Sequence, residues 1–337
     1  MPLRTFAGIE NVLVIKPSSL GDIVHTLPSV SLIKRAHPHW KISWLINPEW
    51  ACLLKDNPDV HKPILFPRKK FRGLKGMPSL LRWAGQMLPI QPDLALDFQG
   101  LLRSALIAKL TRAQAIWGLS NAREGAAWFY DHTIAVDPAR HAAERYLQLA
   151  HALGADIETR PLPFSLPAGE ALANFQCNEP FILLHPVSRG QGKSLSAGQI
   201  TTLCNHLNPW RVIIVGVSNK NNLALPKHCV NLINQTSLEQ LIWLMRQAQF
   251  IISVDSGPLH IACALTPHTL GLYTWSDPAK VGPYRPDAWV WKHGKIYRAS
   301  DAMKLPQPQN QYTIGGADLL SIASFTQEQL RGASTHF

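Results

Sequence analysis

A single acid, Asp22, follows the first apolar stretch of the sequence, in the segment KPSSLGDIVHTLP at residues 16–28. A carboxylate placed against a substrate hydroxyl can remove its proton as a general base. The same residue can instead cap the helix that the following residues predict, because aspartate is a preferred N-cap residue. His25 stands three residues further on, on the same face of that helix, and is the competing base. The residues alone leave these interpretations open.

Cationic and hydroxyl side chains follow a later apolar stretch, in HPVSRGQGKS at residues 185–194. Its closing Gly-Lys-Ser resembles the end of a P-loop, but Val187 occupies the position where a P-loop requires its first glycine. Nucleoside triphosphate hydrolysis is therefore disfavoured, because the backbone N–H groups cannot wrap around the phosphates. Ser188, Arg189 and Lys193 still provide a hydroxyl and two cations, which suit a phosphate group. The alternative is an exposed turn whose lysine has no ligand.

A third group of residues stands in VDSGPLHIACAL at residues 254–265. Ser256 and Gly257 fall at the predicted start of a helix, where free N–H groups and the helix dipole favour an anion. Glycine at that point also lets a ligand approach the backbone closely. Asp255 can instead be a helix cap, and His260 a buried structural histidine. Both alternatives stay open.

The elements that must position these residues alternate between strand and helix. Strands are predicted at residues 12–15, 41–46, 94–98, 181–184, 211–215, 250–254 and 269–273. Helices are predicted at residues 23–35, 101–110, 197–207, 238–248 and 258–265. Continuous apolar strands separated by helices are typical of parallel sheets covered on both faces. Because ligands bind beyond the carboxyl ends of such strands, the loops 17–22, 98–100, 186–193 and 255–258 are the predicted binding loops.

The length of 337 residues predicts two domains rather than one compact core. The proline-rich stretch RPLPFSLP at residues 160–167 is the predicted linker between them. We therefore predict α/β domains at residues 1–165 and 166–318, with a helix in the C-terminal segment 319–337.

The net charge of +11 is concentrated in the first half of the chain, which holds 20 basic and 13 acidic residues through Arg160. No acid stands between Asp59 and Asp93, and the basic residues in that interval are Lys62, Arg68, Lys69, Lys70, Arg72, Lys75 and Arg82. Such a run attracts anionic partners, although a solvated loop face is the alternative. Nucleic acid is disfavoured, because no binding module or basic recognition helix is present.

The cysteines and the lengths of the apolar runs disfavour several further classes of protein. The five cysteines are scattered without CxxC spacing, so neither a disulfide framework nor a zinc site is predicted, and a reducing cytoplasm is expected. No apolar run approaches the roughly 20 residues that span a bilayer, and the first apolar stretch is too short for a secretion signal.

Four segments taken together resemble glycosyltransferase family 9, the ADP-heptose:lipopolysaccharide heptosyltransferases. They are KPSSLGDIVHTLP, DFQGLLRS at residues 97–104, SVDSGPLH at 253–260 and SDPAKVGPY at 276–284, in the order that the family shows. The resemblance implies the GT-B fold, in which two Rossmann-like domains with parallel sheets face each other across a cleft. It implies that the first domain binds the acceptor and the second the nucleotide sugar. In such folds the C-terminal helix commonly packs back on the first domain.

The resemblance also implies roles for individual residues. Asp22 matches the family's proposed catalytic base, and Lys193 its phosphate-contacting lysine. The implied donor-binding residues are Ser188, Arg189, Lys193, Asp255, Ser256, Gly257 and His260. The implied acceptor-binding residues are Ser19, Gly21, His25, Arg68, Lys69, Lys70, Arg72, Gln99 and Arg123.

The implied reaction inverts the anomeric carbon as a heptose moves from ADP-heptose to an anionic lipid-linked glycan, Kdo-lipid A or a heptosylated core. No cofactor is expected, and no metal, because the chain has no DxD motif and cationic side chains can replace Mg²⁺. The expected location is cytoplasmic, peripheral at the inner face of the inner membrane, as the lipid-linked acceptor implies.

Two departures from the family pattern keep alternatives open. Ser194 and Leu195 follow Lys193 where the family usually has tryptophan, and the loop VSNKNNL at residues 217–223 lacks the acid that many members place near the ribose. The alternatives are a nucleotide-sugar epimerase of GT-B fold and a non-catalytic relative that binds a nucleotide sugar or a lipid.

Overall fold

The computed structural model describes residues 6, 8–71, 73–173, 175, 179–219, 223–302, 304 and 312–334. The chain divides into two compact units, Met1–Pro167 and Ala168–Phe337, so the division follows the last proline of the proline-rich stretch. Each unit is built around one sheet of mainly parallel strands.

Within its described residues, the first unit alternates six strands with four helices. They are β1 (Asn11–Ile15), α1 (Leu20–Ala36), β2 (Lys41–Ile46), β3 (Lys62–Leu65), α2 (Met77–Met87), β4 (Leu94–Asp97), α3 (Leu102–Leu110), β5 (Ala115–Leu119), β6 (His132–Ile134) and α4 (Ala142–Ala152). All neighbouring strands are parallel, in the order β3-β2-β1-β4-β5-β6.

Helices cover both faces of this sheet. Leu13 and Ile15 of β1 pack with residues of α2 and α3 in one core cluster. Val12 and Val14 are also buried and point to the opposite face, because side chains alternate along a strand. Helices α1 and α4, which pack against each other, belong to that opposite layer, as the right-handed connection between parallel strands requires. Burial on both faces explains why the strands read as continuous apolar runs.

The second unit has seven strands and six helices among the residues that the structure describes. They are β7 (Phe181–His185), α5 (Ala197–His206), β8 (Arg211–Gly216), β9 (Cys229–Ile233), α6 (Leu238–Gln247), β10 (Phe250–Val254), α7 (Gly257–Leu265), β11 (Thr269–Tyr273), α8 (Pro278–Val281), β12 (Trp289–Lys292), β13 (Lys295–Arg298), α9 (Ala299–Ala302) and α10 (Gly316–Ser334). The order is β13-β12-β11-β10-β7-β8-β9, and only the β12–β13 pair is antiparallel.

Both sheets contain a point at which the strand order reverses. In the first unit β1 lies between β2 and β4, and in the second unit β7 lies between β8 and β10. Ligands bind beyond the carboxyl ends of the strands at such a switch point. The four predicted binding loops follow β1, β4, β7 and β10, so the fold brings them to the two switch points.

The last helix packs within the second unit. Leu319, Ile322 and Leu330 of α10 belong to the core cluster of that unit, and the packing on the first domain that the resemblance implies stays a prediction. The helix packs against α5 because these residues, at helical spacing, form an apolar stripe that meets Ile200 and Leu203. The predicted segment also included residues 335–337, which lie outside the described residues.

Candidate active site

Asp22 lies in the first turn of α1, three residues after the N-cap residue Ser19. Its Oδ2 atom accepts hydrogen bonds from the Ser19 backbone N–H at 3.1 Å and from the Ser19 hydroxyl at 2.6 Å. The interpretation of Asp22 as the N-cap is therefore wrong, since the helix begins at Leu20 and Asp22 is the acidic member of a capping box. The carboxylate remains partly exposed while it fixes the helix start.

A buried lysine and tyrosine lie behind this carboxylate. Tyr146 of α4 donates a hydrogen bond from its hydroxyl to Asp22 Oδ1 at 3.3 Å. The Lys16 ammonium donates to the Tyr146 hydroxyl at 2.9 Å and to the Phe98 carbonyl at 3.0 Å. Burial works to lower the pKa of Lys16, but Tyr146 and Asp22 outweigh it and leave that pKa raised. Burial raises the pKa of Tyr146, so Lys16 carries the charge and Tyr146 keeps its proton.

The loop after β4 is fixed by a second, fully buried acid, Asp97. Its Oδ1 atom accepts from the backbone N–H groups of Gln99 and Gly100, at 2.9 and 3.0 Å, and its Oδ2 atom accepts from the Ser104 and Tyr130 hydroxyls, both at 2.8 Å. Burial raises the pKa of Asp97, and these four donors oppose that shift. The donor set makes Asp97 a structural acid that shapes this loop.

The same loop connects two predicted acceptor residues to the Asp22 region. The Gln99 side-chain oxygen accepts from the Ser18 backbone N–H at 3.4 Å, next to Ser19. The Arg123 backbone N–H donates to the Gly100 carbonyl at 2.8 Å, and the Arg123 side chain is exposed. The structure therefore brings Gln99 and Arg123 to the neighbourhood of the β1–α1 loop.

Gly21 and His25 lie in the first two turns of α1, and both are buried. The His25 imidazole packs edge-on against the His141 ring, with 4.9 Å between ring centroids. Because a general base must reach the substrate proton, the partly exposed Asp22 is favoured over His25.

The predicted basic acceptor residues Arg68, Lys69 and Lys70 lie in the short 3-10 turn Arg68–Phe71, and all three are exposed. The Lys69 ammonium lies 3.7 Å from Glu49. Arg72, the fourth predicted residue of this run, lies outside the described residues.

In the second unit, the loops after β7 and β10 meet at the Asp255 carboxylate. Lys193 forms a short ion pair with Asp255 Oδ2, and the Ser276 hydroxyl donates to the same oxygen. The Ser188 hydroxyl donates to the Asp255 carbonyl at 3.1 Å. Two of the predicted donor residues, Ser188 and Lys193, are thus hydrogen-bonded to a third, Asp255. Arg189 stands exposed in the same loop.

Residues after β11, whose roles the sequence did not predict, complete this cluster. The Lys193 ammonium lies 4.7 Å from the centre of the Trp275 indole, which donates to the Gln191 carbonyl at 3.3 Å. The Thr274 hydroxyl donates to the Gly192 carbonyl at 3.0 Å. Although no tryptophan follows Lys193 in the sequence, an indole contacts its ammonium from another loop. The signal that could have found it is the position of Trp275 beside the motif SDPAKVGPY.

Another missed cation, Lys292 of β12, is buried behind the Asp255 loop. Its ammonium donates to the Ser276 carbonyl at 3.1 Å. Burial lowers the pKa of Lys292, while the charges of Asp277 and Asp255 oppose that shift. Lys292 is therefore a second cationic group near Asp255, and it supports Ser276 from inside the unit.

Ser256 is the N-cap residue of α7 and Gly257 is its first helical residue, so the alternative of Asp255 as N-cap is wrong. His260 lies in the second turn and is buried. A further histidine, His185 at the end of β7, places Nδ1 3.4 Å from both the Ser253 and Ser256 hydroxyls. Burial lowers the pKa of His185 to about 4, so this imidazole is neutral at pH 7.

A metal ion has no evident protein ligands in the part of the chain that the structure describes, because His, Cys, Asp and Glu form no group of three or more that could hold one. The chemistry available at the second unit is instead that of lysine, hydroxyl and helix N-terminal groups, which suit an anion.

Comparisons with known proteins show the family to which the chain belongs. The family described as Glycosyltransferase family 9 (heptosyltransferase) matches residues 83–308. Lipopolysaccharide heptosyltransferase 1 of Pseudomonas aeruginosa is 28% identical over 292 residues, 81% of this chain and 81% of that protein. Lipopolysaccharide core heptosyltransferase OpsX of Haemophilus influenzae is 25% identical over 306 residues, 84% of each.

Solved structures share the fold over nearly the whole chain. E. coli heptosyltransferase WaaC with ADP matches with a TM-score of 0.75 at 21% identity, covering 95% of this chain and 99% of that one. E. coli ADP-heptose lps heptosyltransferase II matches with a TM-score of 0.72 at 20% identity, covering 96% and 98%. The predicted fold class, GT-B with two Rossmann-like α/β domains, is confirmed.

Proposed function

The chain belongs to glycosyltransferase family 9, the heptosyltransferases, and on that premise we propose that it transfers a heptose from ADP-heptose to the inner core of lipopolysaccharide. Its acceptor is then an anionic lipid-linked glycan, Kdo-lipid A or a heptosylated core. The proposed reaction inverts the anomeric carbon and uses neither metal nor cofactor.

The observation that carries this proposal is the cluster of Lys193, Asp255 and Ser276 beside the N-terminus of α7. When the donor reacts, the bond between its anomeric carbon and the diphosphate oxygen breaks, and negative charge grows on the leaving ADP. Lys193 and the N–H groups of Ser256 and Gly257 stabilise that charge. A diphosphate that is stabilised in this way leaves without being protonated, so a second carboxylic acid is unnecessary.

The remaining requirement is a base for the attacking hydroxyl, and we assign that role to Asp22. The acceptor oxygen forms the new bond to the anomeric carbon while its proton passes to the Asp22 carboxylate. Ser19 and Tyr146 hold both carboxylate oxygens, and the buried Lys16 ammonium lies behind Tyr146. Lys16 and Tyr146 are positioning residues in this scheme.

The exposed cations of the first unit fit the acceptor. Arg68, Lys69, Lys70 and Arg123 can pair with the carboxylates and phosphates of an inner-core glycan. Because such an acceptor is anchored in a bilayer, the proposed location is cytoplasmic, peripheral at the inner face of the inner membrane.

The proposed function is tested by product analysis. The full chain is incubated with ADP-heptose and Kdo-lipid A in the presence of EDTA, and the glycolipid is examined by mass spectrometry and NMR. We expect one added heptose with inverted anomeric configuration and one ADP released for each transfer. Conversion of the donor without any acceptor would instead identify an epimerase. Donor binding with no conversion under any condition would identify a non-catalytic relative.

A further inference from the structure

Large apolar side chains are exposed on one layer of the first unit. On α2 they are Met77 and Leu81, at 47% and 65% exposure, and Leu88, the C-cap residue of that helix, at 37%. On α3 they are Leu102 and Leu106, at 36% and 48%. In the described part of the opposite layer, α1 and α4, no large apolar side chain is as exposed as these. The exposure is therefore specific to one side of the sheet.

These residues form stripes on helices that are neighbours. Met77, Leu81 and Leu88 are spaced by four and seven residues, which places them on one side of α2. Leu102 and Leu106 are four residues apart on α3. Helix α2 packs against α3, and α3 packs against the 3-10 turn Ala126–Phe129, whose Trp128 is 90% exposed.

The inner sides of the same helices explain why the outer residues are not needed for the core. Trp83 and Met87 of α2 and Ile107 of α3 are buried in the cluster beneath them. The residues Met77, Leu81, Leu88, Leu102, Leu106 and Trp128, which we call the outer α2–α3 face, contribute little to that cluster. An apolar group of this kind on a folded unit marks an interaction surface.

Positive charge borders the outer α2–α3 face. The turn Arg68–Phe71 packs against α2 and carries three exposed cations, and Lys75 and Arg82 are exposed nearby in the sequence. Burial lowers the pKa of Arg103, on α3, and the charge of Arg68 lowers it further, while the charge of Glu124 opposes that shift. An anionic partner reduces the repulsion among these cations.

From this combination we propose that the outer α2–α3 face docks on the surface of an anionic lipid bilayer. Apolar side chains enter the boundary between headgroups and acyl chains, while the neighbouring cations pair with anionic headgroups, as in interfacial amphipathic helices. Within the described residues no helix is long and apolar enough to cross a membrane. This inference rests on the proposed function in one respect, since an enzyme that acts on a lipid-linked acceptor works at a membrane.

The test uses sedimentation with vesicles that contain no glycan acceptor. The full chain is mixed with vesicles of phosphatidylethanolamine and phosphatidylglycerol, or with vesicles of phosphatidylcholine alone. The double variant Leu81→Ser/Trp128→Ser removes the two most exposed apolar side chains of the face, and Leu320→Ser, at 51% exposure on α10, is the matched control. Thermal unfolding verifies that all variants are folded.

We expect wild type and Leu320→Ser to bind the anionic vesicles at least about tenfold more tightly than the neutral ones, because each basic residue near an anionic surface contributes roughly a fivefold gain in binding. The double variant should lose about tenfold or more of the affinity for anionic vesicles, because it removes buried apolar area. Trp128 fluorescence, obtained as the difference from Trp128→Phe, should be quenched by brominated acyl chains.

Equal binding by wild type and the double variant would overturn the inference. So would a double variant that changes only the oligomeric state in analytical ultracentrifugation, since the face would then contact another copy of the chain. Transfer to a detergent-dispersed acceptor separates the two proposals. If vesicle binding is lost while this transfer is unchanged, both proposals stand. If no variant transfers heptose but vesicle binding follows the pattern above, only the proposed function fails.

Discussion

Each unit has an acid and a lysine near its switch point, and the two units differ in which of these residues is the more buried. In the first unit the lysine is inside, with Lys16 at 3% exposure, and the acid Asp22 is the partly exposed group. In the second unit the acid is inside, with the Asp255 side chain at 6% exposure, and the Lys193 side chain, at 18%, is more accessible. Two similar sheets thus present opposite charges to their ligands.

The difference arises because the loop after the strand supplies an acid in the first unit and a lysine in the second unit. The first loop places an acid in the first turn of a helix, where the helix dipole favours the charged carboxylate. The loop after β7 places a lysine over an acid that belongs to the neighbouring loop. A carboxylate suits the removal of a proton, and a lysine suits an anionic leaving group. Substitutions at the site of the first unit are therefore expected to change proton removal, and those at the site of the second unit to change the binding and departure of the anionic leaving group.

The largest expected effect is that of Asp22→Asn. The amide keeps the size of the side chain but cannot accept a proton, so turnover should fall about 10²-fold or more, the usual scale for loss of a general base. Affinity for ADP-heptose should change little. Steady-state kinetics together with donor titration measures both quantities.

The matched control for this substitution is Glu10→Gln, which also neutralises an exposed acid of the first unit. It should leave turnover unchanged. Near-normal turnover in Asp22→Asn would move the base to His25 or to water and would remove the contrast between the units.

Lys193→Ala should have the next largest effect. Loss of one charge-assisted hydrogen bond to the diphosphate should weaken nucleotide binding about tenfold or more and slow turnover as well. Lys227→Ala, an exposed lysine of the same unit, is the control for a simple loss of charge. Unchanged nucleotide affinity in Lys193→Ala would contradict the donor assignment.

The buried imidazole of the second unit predicts a dependence of stability on pH. The folded-state pKa of His185, about 4, lies below the ordinary 6.5, so the unfolded chain takes up the proton first as the pH falls. Stability of the second unit should therefore decrease between pH 7 and pH 5 by roughly 2 kcal/mol, or about 30-fold in the unfolding constant. Urea unfolding at the two pH values measures this difference.

His185→Gln should reduce that pH dependence, while the exposed His206→Gln should leave it as in wild type. An unchanged slope in His185→Gln would show that other groups cause it.

Tyr146→Phe tests whether the tyrosine positions Asp22. Because its hydroxyl donates to Asp22 Oδ1, removing it should leave that carboxylate less well oriented toward the acceptor hydroxyl. We expect kcat to fall about tenfold with the donor KM unchanged. Tyr297→Phe, in the second unit, is the control. A rise in the donor KM, or a loss of thermal stability that accounts for the lower kcat, would indicate a structural role only.

Neutralising Arg68, Lys69 and Lys70 together should have the smallest effect, a several-fold rise in the acceptor KM at low salt. Exposed charges are screened at high ionic strength, so the rise should shrink there. Acceptor titrations at two salt concentrations measure it. An effect that does not depend on salt would indicate one buried contact instead.

Much of the sheet architecture could be predicted from the sequence, because strands buried on both faces leave apolar runs. The strands Lys41–Ile46, Phe250–Val254 and Thr269–Tyr273 have the predicted bounds. Two edge strands were not predicted, because they are short or polar. Strand β6, His132–Ile134, has only three residues, and strand β13, Lys295–Arg298, holds two cations.

The candidate site residues Asp22, Lys193 and Asp255 could be proposed from the sequence, because each stands next to an apolar run or a helix start. Their partners could not. Tyr146 lies 124 residues from Asp22, and Ser276 lies 21 residues from Asp255. One sequence carries no local signal for contacts of such separation, so these partners emerge only from the fold.

Calorimetric titration of ADP into wild type, Asp22→Asn and Lys193→Ala tests most directly whether the diphosphate is bound by the second unit and not by the first. We predict that Asp22→Asn binds ADP as tightly as wild type does, while Lys193→Ala binds it about tenfold or more weakly. Equal affinity in all three proteins, or a loss in Asp22→Asn alone, would contradict the assignment of the diphosphate to the second unit.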